Sequence, residues 1–135
     1  MSDPLDHVRR MWEADRASRA LGMRLVEVGE GRAVVEMAIT EQHCNGFDIG
    51  HGGLTFSVAD SAFALACNSH GRTTVAAGAE IRFRAPVRLG DVLVASATER
   101  ERADGAGVYD VEVCVAERVV ATFVGRAAEL RESGA

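Results

Sequence analysis

The sequence predicts an α+β fold, with one long buried helix and six short strands in an antiparallel sheet. Two observations lead there. Residues 54–68, LTFSVADSAFALACN, form the longest helical segment and are apolar around most of the helix, as buried helices are. The segments on either side instead alternate apolar and polar residues with the period-two pattern of strands, punctuated by glycine-containing turns.

The elements follow in order. Asp3 can cap a helix, Pro4 suits its first position, and Asp6 complements its dipole. Leu5, Val8, Met11 and Trp12 continue at helical spacing, and Gly22 is the expected stop, giving one helix over about residues 4–20. Residues 24–28 and 33–39 read as a hairpin about Gly29-Glu30-Gly31, with Ala33, Val35, Met37 and Ile39 on one face. Residues 41–53, EQHCNGFDIGHGG, carry four glycines and read as a loop. The long helix comes next, its many alanines allowing a sheet to approach closely, and Asn68-Ser69 reads as its C-terminal cap. Strands are then expected over the alternating run that ends at Pro86, over 92–100, over 108–116 and over 119–125. A long helix wrapped by a curved sheet is the hotdog arrangement.

Length and composition limit what such a fold can do. The chain has 135 residues, which is one domain, and a small chain has little wall from which to build a deep cavity. The ligand is therefore small, or the site shallow, or a second copy supplies part of it. All 15 basic residues are Arg, so Schiff-base and P-loop lysines are excluded. A net charge of −5 argues against non-specific nucleic-acid binding. Cys44, Cys67 and Cys114 are odd in number and widely spaced, so no disulfide framework is expected. No CxxC or HExxH occurs, and neither metal nor cofactor is expected. The N-terminal residues lack the apolar stretch of a signal peptide, and no apolar run suits a membrane span. A reducing, cytoplasmic setting is the expectation.

The chemistry-bearing residues cluster in Asn45-Gly46-x4-His51-Gly52-Gly53-x6-Asp60. Glycines at the start of a helix leave backbone N–H groups open to a ligand, and the helix dipole points its positive end there. This suits a developing oxyanion. Asp60 is an ionisable residue in a helix whose neighbours from Val58 to Ala66, Ser61 excepted, are apolar. Such a group is paired or functional: either a structural Asp bonded to loop amides, or a nucleophile or general base. It lies seven residues beyond Gly53, roughly 10 Å along the axis, too far to reach a carbonyl held at Gly52 of its own helix. His51 can orient a carbonyl or merely fix the loop, and Asn45 can orient a water or simply make a turn. His7, His43 and His70 are expected to be exposed without partners, and Cys44 and Cys67 to be packing residues. Arg82 and Arg84 face outward from a strand, where they meet solvent or a phosphate.

The segment HCNGFDIGHGGLTFSVADSAFALACNS resembles the signature of PaaI-type hotdog thioesterases of phenylacetate degradation. MWEADRASRALGM, IRFRAPVRLGD and GVYDVEVCV extend the likeness over about residues 8–130. The resemblance implies hydrolysis of aryl-acyl-CoA thioesters, especially ring-hydroxylated phenylacetyl-CoA, in homodimers or homotetramers with sites at the dimer interface. It implies Asp60 as the carboxylate acting as nucleophile or base, Gly52 as the N–H donor to the thioester carbonyl, and His51 and Asn45 as assisting pocket residues. Gly53 and Ser61, with Arg82 and Arg84 for the CoA phosphates, complete the expected binding set. Residues 47–50 vary within that family, and Ala14 stands where some relatives carry Asn near the acyl group, so acyl choice is not carried over. Two alternatives are a non-catalytic acyl-CoA-binding hotdog module and a hotdog enoyl-CoA hydratase. The first is disfavoured by the lack of a basic helix-turn-helix. The second pairs Asp and His within a few residues, unlike the nine that separate His51 from Asp60.

Overall fold

The computed structural model describes residues 3–131. Six strands, β1 (Met23–Gly29), β2 (Arg32–Ala38), β3 (Thr74–Phe83), β4 (Val92–Ala103), β5 (Ala106–Val115) and β6 (Arg118–Glu129), form one sheet in the order β1-β2-β4-β5-β6-β3. Every neighbouring pair is antiparallel. Three helices accompany them: α1 (Pro4–Ala14), α2 (Arg16–Ala20) and the long central α3 (Gly52–Cys67). Register shifts in β1, β3, β4 and β6 introduce bulges, which bend the sheet so that it can curve around α3. This is the hotdog fold that the sequence predicts.

The core lies between the sheet and α3. Ala33, Val35, Met37 and Ile39 of the predicted inner face are all buried, as are Val58, Ala62, Phe63 and Leu65 of α3 and Tyr109, Val111 and Val113 of β5. Small residues allow the close approach. A Cβ on Gly125 of β6 would lie 2.6 Å from the Phe63 ring, so the aromatic ring occupies the space a side chain there would need. Phe63 packs against Tyr109 and Phe123 at centroid distances of 5.7 Å, a separation typical of favourable aromatic pairs.

Several local expectations change. The first helix is two, broken at Asp15. The Asp15 N–H ends α1 on the Trp12 carbonyl, while its carboxylate caps α2 by accepting from the Ser18 N–H at 2.9 Å and the Ser18 hydroxyl at 2.7 Å. The last strands run longer than expected, to Ala103 and Glu129, because β4, β5 and β6 continue their ladders past the apolar runs into charged residues. Within the loop after β2, Glu41–His43 make a 3₁₀ turn, and α3 begins at Gly52, two residues early. Strand β3 starts earlier than its alternation suggests and is largely exposed, because it is the sheet edge and has a neighbour only in β6.

His7, His43 and His70 are not free. His43 is buried, and its Nδ1 accepts from the Thr40 N–H at 3.0 Å, which closes the 3₁₀ turn. His7 Nε2 lies 3.1 Å from Asn68 Oδ1. His70 Nε2 lies 2.7 Å from Glu99 Oε1, which also accepts from the Tyr109 hydroxyl at 2.8 Å. Burial pushes the Glu99 carboxyl up, but the hydrogen bonds from His70 and Tyr109 outweigh it and hold the group below the usual carboxylate range. Asn68 and Ser69 cap α3 as expected. Asn68 Nδ2 donates to the carbonyls of Ala64 and Thr74, and Ser69 Oγ donates to Ala66 O while accepting the Gly31 N–H.

Candidate active site

The site is built at the N-terminus of α3. His51 is its N-cap residue, in an extended conformation, and contributes no side-chain cap. The His51 N–H donates to the His43 carbonyl at 2.9 Å, and the His51 carbonyl accepts from Leu54 N–H. Among the described residues no acceptor meets the N–H of Gly52 or Gly53. These are orphan donors of a helix start, at the positive end of its dipole. His51 and Gly53 are exposed, and a Cβ on Gly53 would meet nothing. Gly52 is tighter: a Cβ there would lie 3.0 Å from the ring of Phe83, at the end of β3.

Asn45 serves the loop. Its Oδ1 accepts from the N–H groups of Phe47 at 2.8 Å and Ile49 at 3.2 Å. The Asn45 N–H donates to the Ile49 carbonyl, and Cys44 and Gly50 bridge across the turn. The carboxamide oxygen thus fixes the stretch that delivers His51 to the helix start. Asp48 adopts φ 58°, one of the few left-handed non-glycine residues, inside this tight turn.

A cleft of about 360 Å³ opens beside Gly52. Ile49, Gly50, Gly52 and Thr55 line it from the loop and helix, and Phe83, Arg84, Ala85, Pro86, Val87 and Val120 from the sheet and the turn after β3. The lining is mostly apolar. Arg84 reaches 3.3 Å from Thr122 Oγ1, and both Arg82 and Arg84 are exposed as expected.

Asp60 lies eight residues beyond Gly52 on α3, about 12 Å along the axis, so one copy does not bring the two together. Asp60 is part-buried, and among the described residues it makes no ion pair or hydrogen bond. That excludes the reading in which loop amides hold it. Burial pushes its carboxyl above the usual range, and the like charge of Asp15 adds to the rise. Its neighbour Ser61 is joined to the same acid: Ser61 Oγ is 2.8 Å from Ser18 Oγ, which donates to Asp15. Sequence reading did not connect Asp15 or Ser18 to the site. The signal was present, since an Asp three residues before a Ser in a helix-forming stretch is an N-cap pattern. Thr55 was missed too, as the one polar residue in the first turn beyond Gly52.

The field of Asp15 gives a pH test. Asp15→Asn keeps the cap, because Asn caps as well as Asp, and removes the charge. The Asp60 carboxyl, followed by ¹³C NMR, is expected to titrate at lower pH in this variant than in the wild type. An unmoved midpoint would show that burial alone sets it.

Cys67 is part of the core and Cys44 packs against it, as expected. Burial pushes the Cys67 thiol up to about 12, far from the low value a nucleophile needs. The described residues contain no group of His, Cys, Asp or Glu arranged to hold a metal, and no helix among them is long and apolar enough to cross a membrane.

Residues 47–122 match the family model described as "Thioesterase superfamily". The acyl-coenzyme A thioesterase PaaI of Escherichia coli is 44% identical over 117 residues, 86% of this chain and 84% of that protein. The chain belongs to the thioesterase superfamily, in its PaaI-type hotdog branch. Like other members it is a thioester hydrolase. The solved structure of the E. coli PaaI protein from the phenylacetic acid degradation operon superposes with a TM-score of 0.92 at 39% identity, covering 96% of this chain and 94% of that one. Human acyl-coenzyme A thioesterase 13 is 33% identical over 93 residues, 67% of this chain and 66% of that protein. Against these thioesterases, the open N–H groups of Gly52 and Gly53 and the unpaired Asp60 are the features of this chain that suit thioester chemistry.

Proposed function

We propose that this thioesterase hydrolyses aryl-acyl-CoA thioesters, of the hydroxyphenylacetyl-CoA type, to free acid and CoA. The observation that carries the reading is the pairing of unfilled Gly52 and Gly53 N–H groups with an apolar cleft beside them. The thioester carbonyl sits on the Gly52 N–H, which with the helix dipole stabilises charge on its oxygen; one such donor contributes about 10²–10³ in rate. His51 and Gly53 border the same point, and Asn45 fixes the loop that holds them. The acyl group lies in the apolar cleft, and exposed Arg82 and Arg84 suit the CoA phosphates. That the E. coli relative bears the name acyl-coenzyme A thioesterase and belongs to a phenylacetic acid degradation operon supports the substrate class.

The carboxylate comes from a second copy. Asp60 is about 12 Å from Gly52 in its own chain, and β3 is a ten-residue edge with Val75 and Phe83 exposed. An unpaired edge of that length favours pairing with another strand. In the resulting homodimer or homotetramer, Asp60 of one copy serves the Gly52 of the other, either attacking the carbonyl to give a mixed anhydride or activating a water.

A panel of acyl-CoA and enoyl-CoA compounds with detection of free thiol tests the reading. Thiol release with phenylacetyl-CoA and its hydroxylated forms is expected, from protein that sediments as a dimer or larger. Binding without turnover, or water addition to an enoyl-CoA, would replace it with an acyl-CoA-binding module or a hydratase.

A further inference from the structure

Two serines on α3, four residues apart, use their hydroxyls differently. Ser57 Oγ donates to the Gly53 carbonyl at 2.8 Å, the common habit of a helical serine. Ser61, beside Asp60, reaches another helix instead: its Oγ is 2.8 Å from Ser18 Oγ. The Ser18 proton is already given to Asp15 Oδ2 at 2.7 Å, and a hydroxyl has one proton, so Ser61 donates and Ser18 accepts. Asp15 Oδ1 takes the Ser18 N–H at 2.9 Å. This chain of hydrogen bonds starts next to Asp60 and ends on the Asp15 carboxylate, with Ser18, 4% exposed, at its centre. Asp15 and Asp60 are both part-buried, and among the described residues no cation pairs with either. Like charges kept close without compensation oppose each other's ionisation. Capping α2 does not require this, since Asn, Ser or Thr caps a helix without a charge.

Among the described residues Asp15 is the charge that bears on Asp60. Cys67, two turns on along α3, is a neutral thiol, its pKa pushed up to about 12 by burial. His7 of α1 is engaged with Asn68 at the far end of α3. The sheet packed on the helix presents hydrocarbon, Tyr109 excepted, and the Tyr109 hydroxyl is held by Glu99. We propose that Asp15 is a positioning residue of the hydrolysis: pinned by Ser18, its carboxylate stands at a fixed place beside Asp60 and makes Asp60 a more reactive base or nucleophile, without touching the substrate. The inference rests on the reading that Asp60 attacks the thioester or activates a water. A carboxylate that a like charge discourages from ionising gives up its electron pair more readily, and the reacting charge leaves Asp60 for the carbonyl oxygen as the bond forms.

The test follows kcat and KM for phenylacetyl-CoA from acid to neutral pH in three proteins. Asp15→Asn keeps the α2 cap and removes the charge; Asp15→Glu keeps the charge and forfeits the cap. In the wild type the rate rises with pH as Asp60 ionises, on a limb that Asp15 holds at higher pH than burial alone would. Asp15→Asn is expected to move this limb to lower pH, so that the variant is faster than the wild type below the limb and a few-fold slower above it, with KM little changed. Asp15→Glu is expected to keep the wild-type limb. A loosened fold lowers the rate at every pH and yields no gain in acid. An unmoved limb in Asp15→Asn would overturn the inference, and so would a limb that moves in Asp15→Glu, since its position would then follow the cap and not the charge. Wild-type turnover by Asp60→Asn is a different result: it removes Asp60 from the reaction, and with it the reading on which the inference stands.

Discussion

Asp60→Asn is expected to lower thiol release from acyl-CoA by about 10²–10⁴-fold while leaving the fold at least as stable. The substitution keeps the shape of the side chain and removes the group proposed to attack or to activate water. Ordinarily the loss of a buried charged residue confuses activity with folding. Here the two separate. The folded chain holds the Asp60 proton to higher pH than an unfolded chain would, because burial and the charge of Asp15 both oppose ionisation. Ionised Asp60 therefore weakens folding at neutral pH, and this effect fades as pH falls through the raised pKa. Asn carries no such cost. Rates under saturating substrate, set beside denaturant midpoints of the two proteins, check both halves. Wild-type turnover in the variant would sink the assignment of Asp60. A large fall in its stability would show that the carboxylate has a structural partner in the assembled protein.

Gly125→Ala is the counterpart, with its effect on stability. The added methyl would stand 2.6 Å from Phe63, which is itself wedged between Tyr109 and Phe123 and is 1% exposed. The ring cannot retreat without disturbing the layer between α3 and β5. Overpacking of this kind costs about 1–3 kcal/mol. A lowered midpoint in urea with an unchanged slope is the expected result. A midpoint equal to the wild type would mean that the aromatic layer can shift.

The fold was largely legible from periodicity, because apolar spacing reports which face meets the core. Met37 and Val113 are buried where alternation put them. Phe83 was not legible in this way. Its alternation matches an inner face, but β3 is the last strand of the sheet and the ring stands over Gly52 at the mouth of the cleft, 58% exposed. Position within a sheet is a long-range property that local alternation does not carry. The break at Asp15 was hidden for a related reason: a cap inside a helical pattern leaves the hydrophobic spacing intact. At the site, the motif marked Gly52 and Asp60 because glycine pairs and lone acids are conspicuous in sequence. Thr55 is inconspicuous, since threonine is common and only the folded chain places it, buried, against the cleft. The histidines failed as expected solvent groups because their partners, Glu99 for His70 and the Thr40 N–H for His43, are supplied by folding.

The central helix has two unlike ends. At its C-terminus, Asn68, Ser69 and His70 are tied to β3, to the β1–β2 turn and to Glu99 of β4. At its N-terminus a short loop with an exposed Phe47 leads into bare N–H groups. Bonded anchorage and open donors thus occupy opposite poles of one rod. Phe47 is 83% exposed, so its replacement by a polar residue is expected to leave the unfolding midpoint in urea nearly unchanged, whereas loss of the Asn68 carboxamide at the other pole lowers it.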